Sequence, residues 1–191
     1  MEERHQKGLD FMKLMIASDI HGAAGFCRAL LDAYDRETPD RLLLLGDLLY
    51  HGPRNDLPPE YTPKAVIEML NRISEKLLCV RGNCEAEVDQ MVLDFPVLAE
   101  YAWLEVNGLR IFATHGHRHT KNDPPPLCDG DILLCGHTHI PAFQRLDGFV
   151  YVNPGSVSIP KEQSPHSYMI IEGKTLSWKT LDGEVYQSET V

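Results

Sequence analysis

At 191 residues, with 43% hydrophobic and 24% charged side chains, the chain is long enough to bury the core of one globular domain. A formal net charge of −10 is the wrong footprint for coating DNA or RNA, but it leaves room for a small phosphorylated ligand held through divalent cations. No apolar run approaches the roughly 20 residues that span a bilayer, and the first residues lack the apolar stretch of a secretory signal, so no membrane partner is expected.

Residues 1–11 are mostly polar and read as a mobile extension ahead of a single domain over 12–191. Leu14–Ala17 is a buried strand, 23–34 a helix, and Leu42–Leu45 a second strand ending at Gly46-Asp47. A proline-bearing loop from Gly52 to Pro63 leads into a helix over 64–73. Leu77–Val80 is a third strand, ending at Arg81-Gly82-Asn83. Such alternation predicts parallel βαβ units. The second half changes character. Tyr101–Val106 and Leu109–Thr114 flank Asn107-Gly108, a two-residue hairpin signal, and Ile132–Cys135 is another buried strand. Further pairs follow around Asp147-Gly148 and Gly173, so this half is mostly antiparallel β. The expected fold is α/β, two sheets with helices outside. The five cysteines are odd in number and lack a C-x-x-C pair, which suits free thiols in a reducing cytoplasm. Cys79 and Cys135 lie in apolar runs and read as small buried hydrophobes.

Five short blocks carry the chemistry: Asp19-Ile20-His21-Gly22, Gly46-Asp47, Gly82-Asn83-Cys84-Glu85, His115-Gly116-His117 and Gly136-His137-Thr138-His139. Each follows an apolar strand, and α/β sites gather beyond the carboxyl ends of strands, so the blocks can converge. The spacing of two in Asp19-x-His21 and His137-x-His139 would point both side chains the same way from extended backbone. Carboxylate, imidazole and amide donors without thiolate suit Mn²⁺, Fe or Zn²⁺. Seven candidates suffice for two ions if Asp47 bridges them. Such a pair stabilises the attacking and leaving oxygens at phosphorus and lowers the pKa of a bound water from about 15.7 toward 7.

The order D-x-H, G-D, G-N-x-[DE], H-G-H, G-H-T-H resembles the calcineurin-like metallophosphoesterases. The strings GDLLYHGPRN (46–55), VRGNCE (80–85) and VNPGSVSIPK (152–161) are similar to the small bacterial YfcE-type phosphodiesterases, and the resemblance covers residues 12–161. It implies a four-layer αββα sandwich, two mixed β-sheets flanked by helices, with metals at the strand ends. By matching position it implies that Asp19, His21, Asp47 and His139 hold one ion, and that Asp47, Asn83, His115 and His137 hold the other. Two divalent ions are expected, manganese first, with zinc, iron or nickel as alternatives.

Many relatives carry a histidine after the motif asparagine as general acid, whereas this chain has Cys84. A thiol can donate a proton but is not tuned like imidazole for work near pH 7. Cys84 is therefore a candidate acid, with packing beside the site as the competing role. His117 is a candidate contact to a phosphoryl oxygen. Arg54, in the loop after Asp47 with His51, is a candidate for a bidentate phosphate contact or for pairing with an acidic residue. Asn153 and Ser156 are expected to brace the turn beside the site, and Glu85 to open a helix and favour its positive end. His5, His119 and His166 match no motif position and read as surface residues. An open site with few evident positive side chains suits a small, singly charged diester. The readings that compete are a phosphomonoesterase on the same ions, a scaffold like the retromer subunit of this fold, and a nuclease. Homo-oligomerisation is left open.

Overall fold

The computed structural model describes residues 11–191, so all but the last residue of the expected N-terminal extension, with His5, lies outside the described residues. Eleven strands form two mixed sheets. The first contains β1 (Lys13–Ala17), β2 (Arg41–Leu44), β3 (Leu77–Cys79), β9 (Ser167–Glu172), β10 (Thr175–Thr180) and β11 (Val185–Thr190). Its order is β11-β10-β9-β1-β2-β3, parallel over β1-β2-β3 and antiparallel elsewhere. The second contains β4 (Tyr101–Val106), β5 (Leu109–Thr114), β6 (Asp131–Leu134), β7 (Ala142–Arg145) and β8 (Phe149–Asn153). Its order is β4-β5-β6-β8-β7, with β5-β6-β8 parallel.

Alternation along the strands sorts the core. In the first sheet Leu14, Ile16, Leu43, Met169, Ile171 and Trp178 face inward, against Ile111, Ala113, Ile132, Leu134, Val150 and Val152 of the second. The opposite face of the first sheet, with Met15, Ala17, Leu42, Leu44 and Ile170, packs on Cys27, Leu30, Val66 and Leu70. Those residues belong to α1 (Ala24–Glu37) and α2 (Pro63–Asn71). Helix α1 buries positions three or four apart, and Pro39 prevents its continuation past the left-handed Thr38. Pro63 starts α2, where a missing N–H costs nothing. Both helices are offset from the sequence expectation by a few residues, α1 running on to Glu37 and α2 stopping at Asn71.

The α/β sandwich of two mixed sheets expected from the sequence is therefore present. Over the outer face of the second sheet the layer is built by an irregular segment, whose Leu127 packs near Phe112, Leu133, Cys135 and Tyr151. Cys135 is buried as expected and Cys79 half-buried. His119 and His166 are half-buried rather than surface residues: His119 stacks edge-on to Phe112, and His166 stacks on Phe26 and hydrogen-bonds the Val157 carbonyl.

Candidate metal centre

The parallel strands of both sheets end at the same side, and their following loops bring all seven expected ligands together. Asp19 and His21 follow β1, Asp47 follows β2, Asn83 follows β3, His115 follows β5, and His137 and His139 follow β6. The spacing-of-two argument from extended backbone was wrong in its geometry. Asp19, His21, His137 and His139 have φ of 61°, 50°, 64° and 62°, and Asp47 has 56°, so five of the seven sit in the left-handed region. Non-glycine residues stay there only where neighbouring structure over-determines them. Here Asp19 N–H donates to the Gly46 carbonyl at 3.1 Å and His21 N–H to the Asp47 carbonyl at 2.8 Å, locking the first loop onto the second. Gly82 permits a close approach, since a Cβ there would collide with the Asp47 carboxylate.

Ring orientation fixes which nitrogens face the centre. His21, His115 and His139 donate through Nδ1 to the carbonyls of Tyr50, Leu45 and Ile159 at 2.8, 2.7 and 2.6 Å. A carbonyl only accepts, so in each neutral ring Nε2 is left as an inward lone pair. His21 Nε2 lies 3.3 Å from His139 Nε2, and Asp19 Oδ1 lies 3.6 and 3.2 Å from the two. Nearby, His115 Nε2 is 3.1 Å from both Asn83 Oδ1 and His137 Nδ1. Asp47 Oδ2 stands between the groups, 3.7 Å from His21 Nε2 and 3.5 Å from His115 Nε2. Asp19 Oδ1 is buried with no hydrogen-bond partner among the described residues. With the rings neutral these converging acceptors repel one another, and a cation resolves that repulsion. The donor set fits two such ions.

The same crowding shifts the ionisation of these groups when no cation is bound. Burial raises the Asp19 carboxyl, but facing His139 and His21 outweigh it and hold it well below the usual carboxylate range. Burial likewise opposes ionisation of Asp47, and His115 holds it down. Burial pulls the His115 imidazole down, yet Asp47 and Asp19 lift it to about 9. His137 is pushed to about 4 by burial and by the charge of His115.

Around these residues, Ser156 and Ser158 Oγ donate to the Asp19 carbonyl at 3.0 and 2.9 Å. Asn153 Nδ2 donates to the Gly136 carbonyl at 2.7 Å, so the expected bracing by Asn153 and Ser156 is present. Glu85 departs from expectation. It precedes the short helix α3 (Glu87–Gln90) and is buried. Its carboxylate accepts the N–H groups of Asp47 (2.9 Å), Leu48 (2.7 Å) and Gly82. Cys84 N–H donates to Asp47 Oδ1 at 2.9 Å, which sets its thiol beside Asn83. Burial and the Asp47 carboxylate push that thiol up, keeping it protonated. His117 is half-buried, its ring centroid 5.4 Å from His115 and 6.2 Å from His137. Burial and the charges of His115 and Arg118 depress it.

A cavity of about 430 Å³ opens over the centre, lined by Asp47, Asn83, Cys84, His137 and His139. Arg54 and Lys161 line it too, against the expectation of few positive side chains. Lys161 carried no sequence signal beyond closing the string 152–161.

Two mixed sheets with seven convergent oxygen and nitrogen donors at their strand ends define a metal-dependent hydrolytic enzyme. Residues 12–176 match the family model described as the calcineurin-like phosphoesterase superfamily domain. The chain belongs to that superfamily. It is 44% identical over 166 residues to the phosphodiesterase YfcE of Escherichia coli, covering 87% of this chain and 90% of that one. The solved structure of that phosphoesterase superposes with a TM-score of 0.91 at 41% identity, over 94% of this chain and 100% of the other. A probable metallophosphoesterase of Bacillus subtilis, YsnB, is 25% identical over 170 residues, covering 84% of this chain and 83% of the relative. Vacuolar protein sorting 29 from Cryptosporidium parvum, at 19% identity and a TM-score of 0.61 over 95% of this chain and 100% of that one, shares the fold alone.

Proposed function

We propose that the chain is a two-metal phosphodiesterase in which Asp19, His21, Asp47 and His139 hold one ion and Asp47, Asn83, His115 and His137 the other. The observation that carries this reading is the position of Asp47 Oδ2, shared between the His21 and His115 nitrogens of two acceptor groups. Bound there, the ions supply an activated water and offset charge on the phosphoryl oxygens. Manganese is the first choice of metal, with zinc, iron or nickel as alternatives, since the donors are oxygen and imidazole. Asn83 adds a neutral donor, which keeps the centre net positive toward an anion.

The chain's own groups do the rest. His117, beside His115 and His137, contacts a phosphoryl oxygen of the substrate. Cys84, on the cavity wall, is placed to donate to the departing oxygen, and a thiol is a weak donor. Turnover then leans on a good leaving group. The name of the YfcE relative supports the diester over the monoester. Among the described residues no helix is long and apolar enough to cross a membrane, which fits a small substrate handled in the cytoplasm by one domain over 12–191. A second copy of the chain remains compatible with this reading. The complete ligand set argues against a purely scaffolding role.

The test is to strip metal with chelator and restore Mn²⁺, Ni²⁺, Mg²⁺ or Zn²⁺ against bis-p-nitrophenyl phosphate and p-nitrophenyl phosphate. Metal-dependent turnover of the diester is expected. Inertness with every metal would favour the scaffold, and preference for p-nitrophenyl phosphate would reverse the ester class.

A further inference from the structure

The wall of the cavity carries more positive charge than cleavage of a simple diester calls for. Arg54 comes from the loop after β2, just past the Gly52-Pro53 turn, and Lys161 from the segment between β8 and β9. Among the described residues they are the only lysine or arginine lining the cavity, and Asp47 is its only carboxylate. Neither forms an ion pair among the described residues, although the chain has 28 acidic against 18 basic residues. Two cations lining one cavity whose only carboxylate is Asp47 point to an anion supplied from outside.

The backbone at Lys161 is tied to the centre, and the turn that carries Arg54 is held by its own hydrogen bond. Lys161 N–H donates to the carbonyl of His139 at 3.1 Å, and Ser164 caps the Lys161 carbonyl with its N–H at 3.0 Å and its hydroxyl at 2.6 Å. In the loop after β2, Asn55 Nδ2 donates to the His51 carbonyl at 2.8 Å, holding the turn that carries Arg54. A pair of divalent ions more than offsets the Asp19 and Asp47 carboxylates and the single charge of a diester. Arg54 and Lys161 are therefore surplus to neutralising the group that is cleaved. At about 430 Å³ the cavity has room for a small diester with one further group.

We infer that Arg54 and Lys161 form an anion subsite for a second charged group on the substrate, so that the enzyme acts on small diesters with one arm ending in a phosphate or carboxylate. Phosphate is the closer match. A guanidinium fork and an ammonium together offer two charges to a dianion, whereas a carboxylate uses one. This subsite rests on the diesterase reading above and names the substrate class for it.

Three p-nitrophenyl diesters test it, their second arms being ethyl, 2-carboxyethyl and 2-phosphonoethyl. With manganese-loaded protein the phosphonate arm should raise kcat/KM at least about tenfold over the ethyl arm, mainly through KM, with the carboxylate between them. The advantage should shrink in high salt, because both cations are exposed. Arg54→Ala and Lys161→Ala should each pull the phosphonate-to-ethyl ratio toward one, Arg54→Lys should retain part of it, and Lys174→Ala, on the remote β9–β10 turn, should keep it. Equal rates on all three arms, or an undiminished ratio in both alanine variants, would overturn the subsite and leave the diesterase reading standing. Failure to turn over any of the three diesters, or faster cleavage of p-nitrophenyl phosphate than of the ethyl diester, would overturn both.

Discussion

Glu85→Gln removes one oxygen from the carboxylate that ties the Asp47 loop to the Asn83 loop. In the wild type, Oε2 accepts from Asp47 and Gly82 and Oε1 accepts from Leu48. A glutamine keeps a single acceptor. With its oxygen at the Oε2 position, its amide NH₂ faces the Leu48 N–H, donor against donor; turned over, it faces two. The residue is 4% exposed, so water cannot take the missing place. Losing one charge-assisted bond and stranding a buried N–H costs about 2–3 kcal/mol. In a chain of this length that lowers Tm by roughly 4–12 °C. The same change frees the backbone of Asp47 and Gly82, and supporting residues of this kind are typically worth about 10–100-fold in metal affinity or activity. Thermal melts of chelated protein, followed by manganese titration against bis-p-nitrophenyl phosphate, read both effects. A Tm within a degree of wild type, with unchanged half-saturation by manganese, would refute this role for Glu85.

Asp47→Asn should cut diester turnover by about a thousandfold or more, because it removes the shared charge of the centre; steady-state assay at saturating metal checks this, and a fully active variant would remove the bridge. Manganese should raise Tm, with about 2.7 kcal/mol gained at a hundredfold excess over its Kd, since the ions relieve facing acceptors in the metal-free protein; a melt indifferent to manganese would deny the site. Cys84→His should accelerate diesters of poor leaving groups by about tenfold or more while changing the p-nitrophenyl ester little, and a uniform effect across leaving groups would end the acid argument. Glu37 accepts from Lys13 (2.9 Å), Lys179 (2.6 Å) and Tyr168 (2.9 Å); burial opposes its ionisation, but these partners hold it down to about 2 from 4.5. Its stabilisation, about 3 kcal/mol, is present above pH 4.5 and lost as pH falls toward 2, so the gap between wild type and Glu37→Gln in denaturant melts should narrow from pH 5 to pH 3, and a constant gap would contradict it.

The ligands were legible because each sits in a short glycine-bearing block immediately after an apolar run, and strand ends are where the fold converges. The hairpin at Asn107-Gly108 was equally local. What escaped the sequence was non-local. Glu85 reads as a helix opener beside its neighbours, yet two of its three partners lie 37 and 38 residues away. Lys161 becomes a cavity residue only because its N–H is tied to the His139 carbonyl. Helix α1 runs on to Glu37 because that residue meets Lys179 and Tyr168 on the sheet face the helix covers. His166 has no motif, but a stack on Phe26 half-buries it.

The backbone at the ligands was the one point on which periodicity misled, and the reason bears on how the centre works. An alternating D-x-H or H-x-H on extended backbone would place its donors along a line, one sheet face deep. Left-handed residues at 19, 21, 47, 137 and 139 instead curl each loop so that donors from both sheets meet around a point. Each such residue costs of order 1 kcal/mol or more, and unpaired acceptors add to that cost. The fold meets it with bonds that need no metal: the first two loops are stitched backbone to backbone, Glu85 and the Asp19-capping serines hold the turns, and three carbonyls fix three imidazoles. Because those bonds hold the candidate ligands in place, less of the ions' binding energy goes into organising the protein and more can act on the substrate.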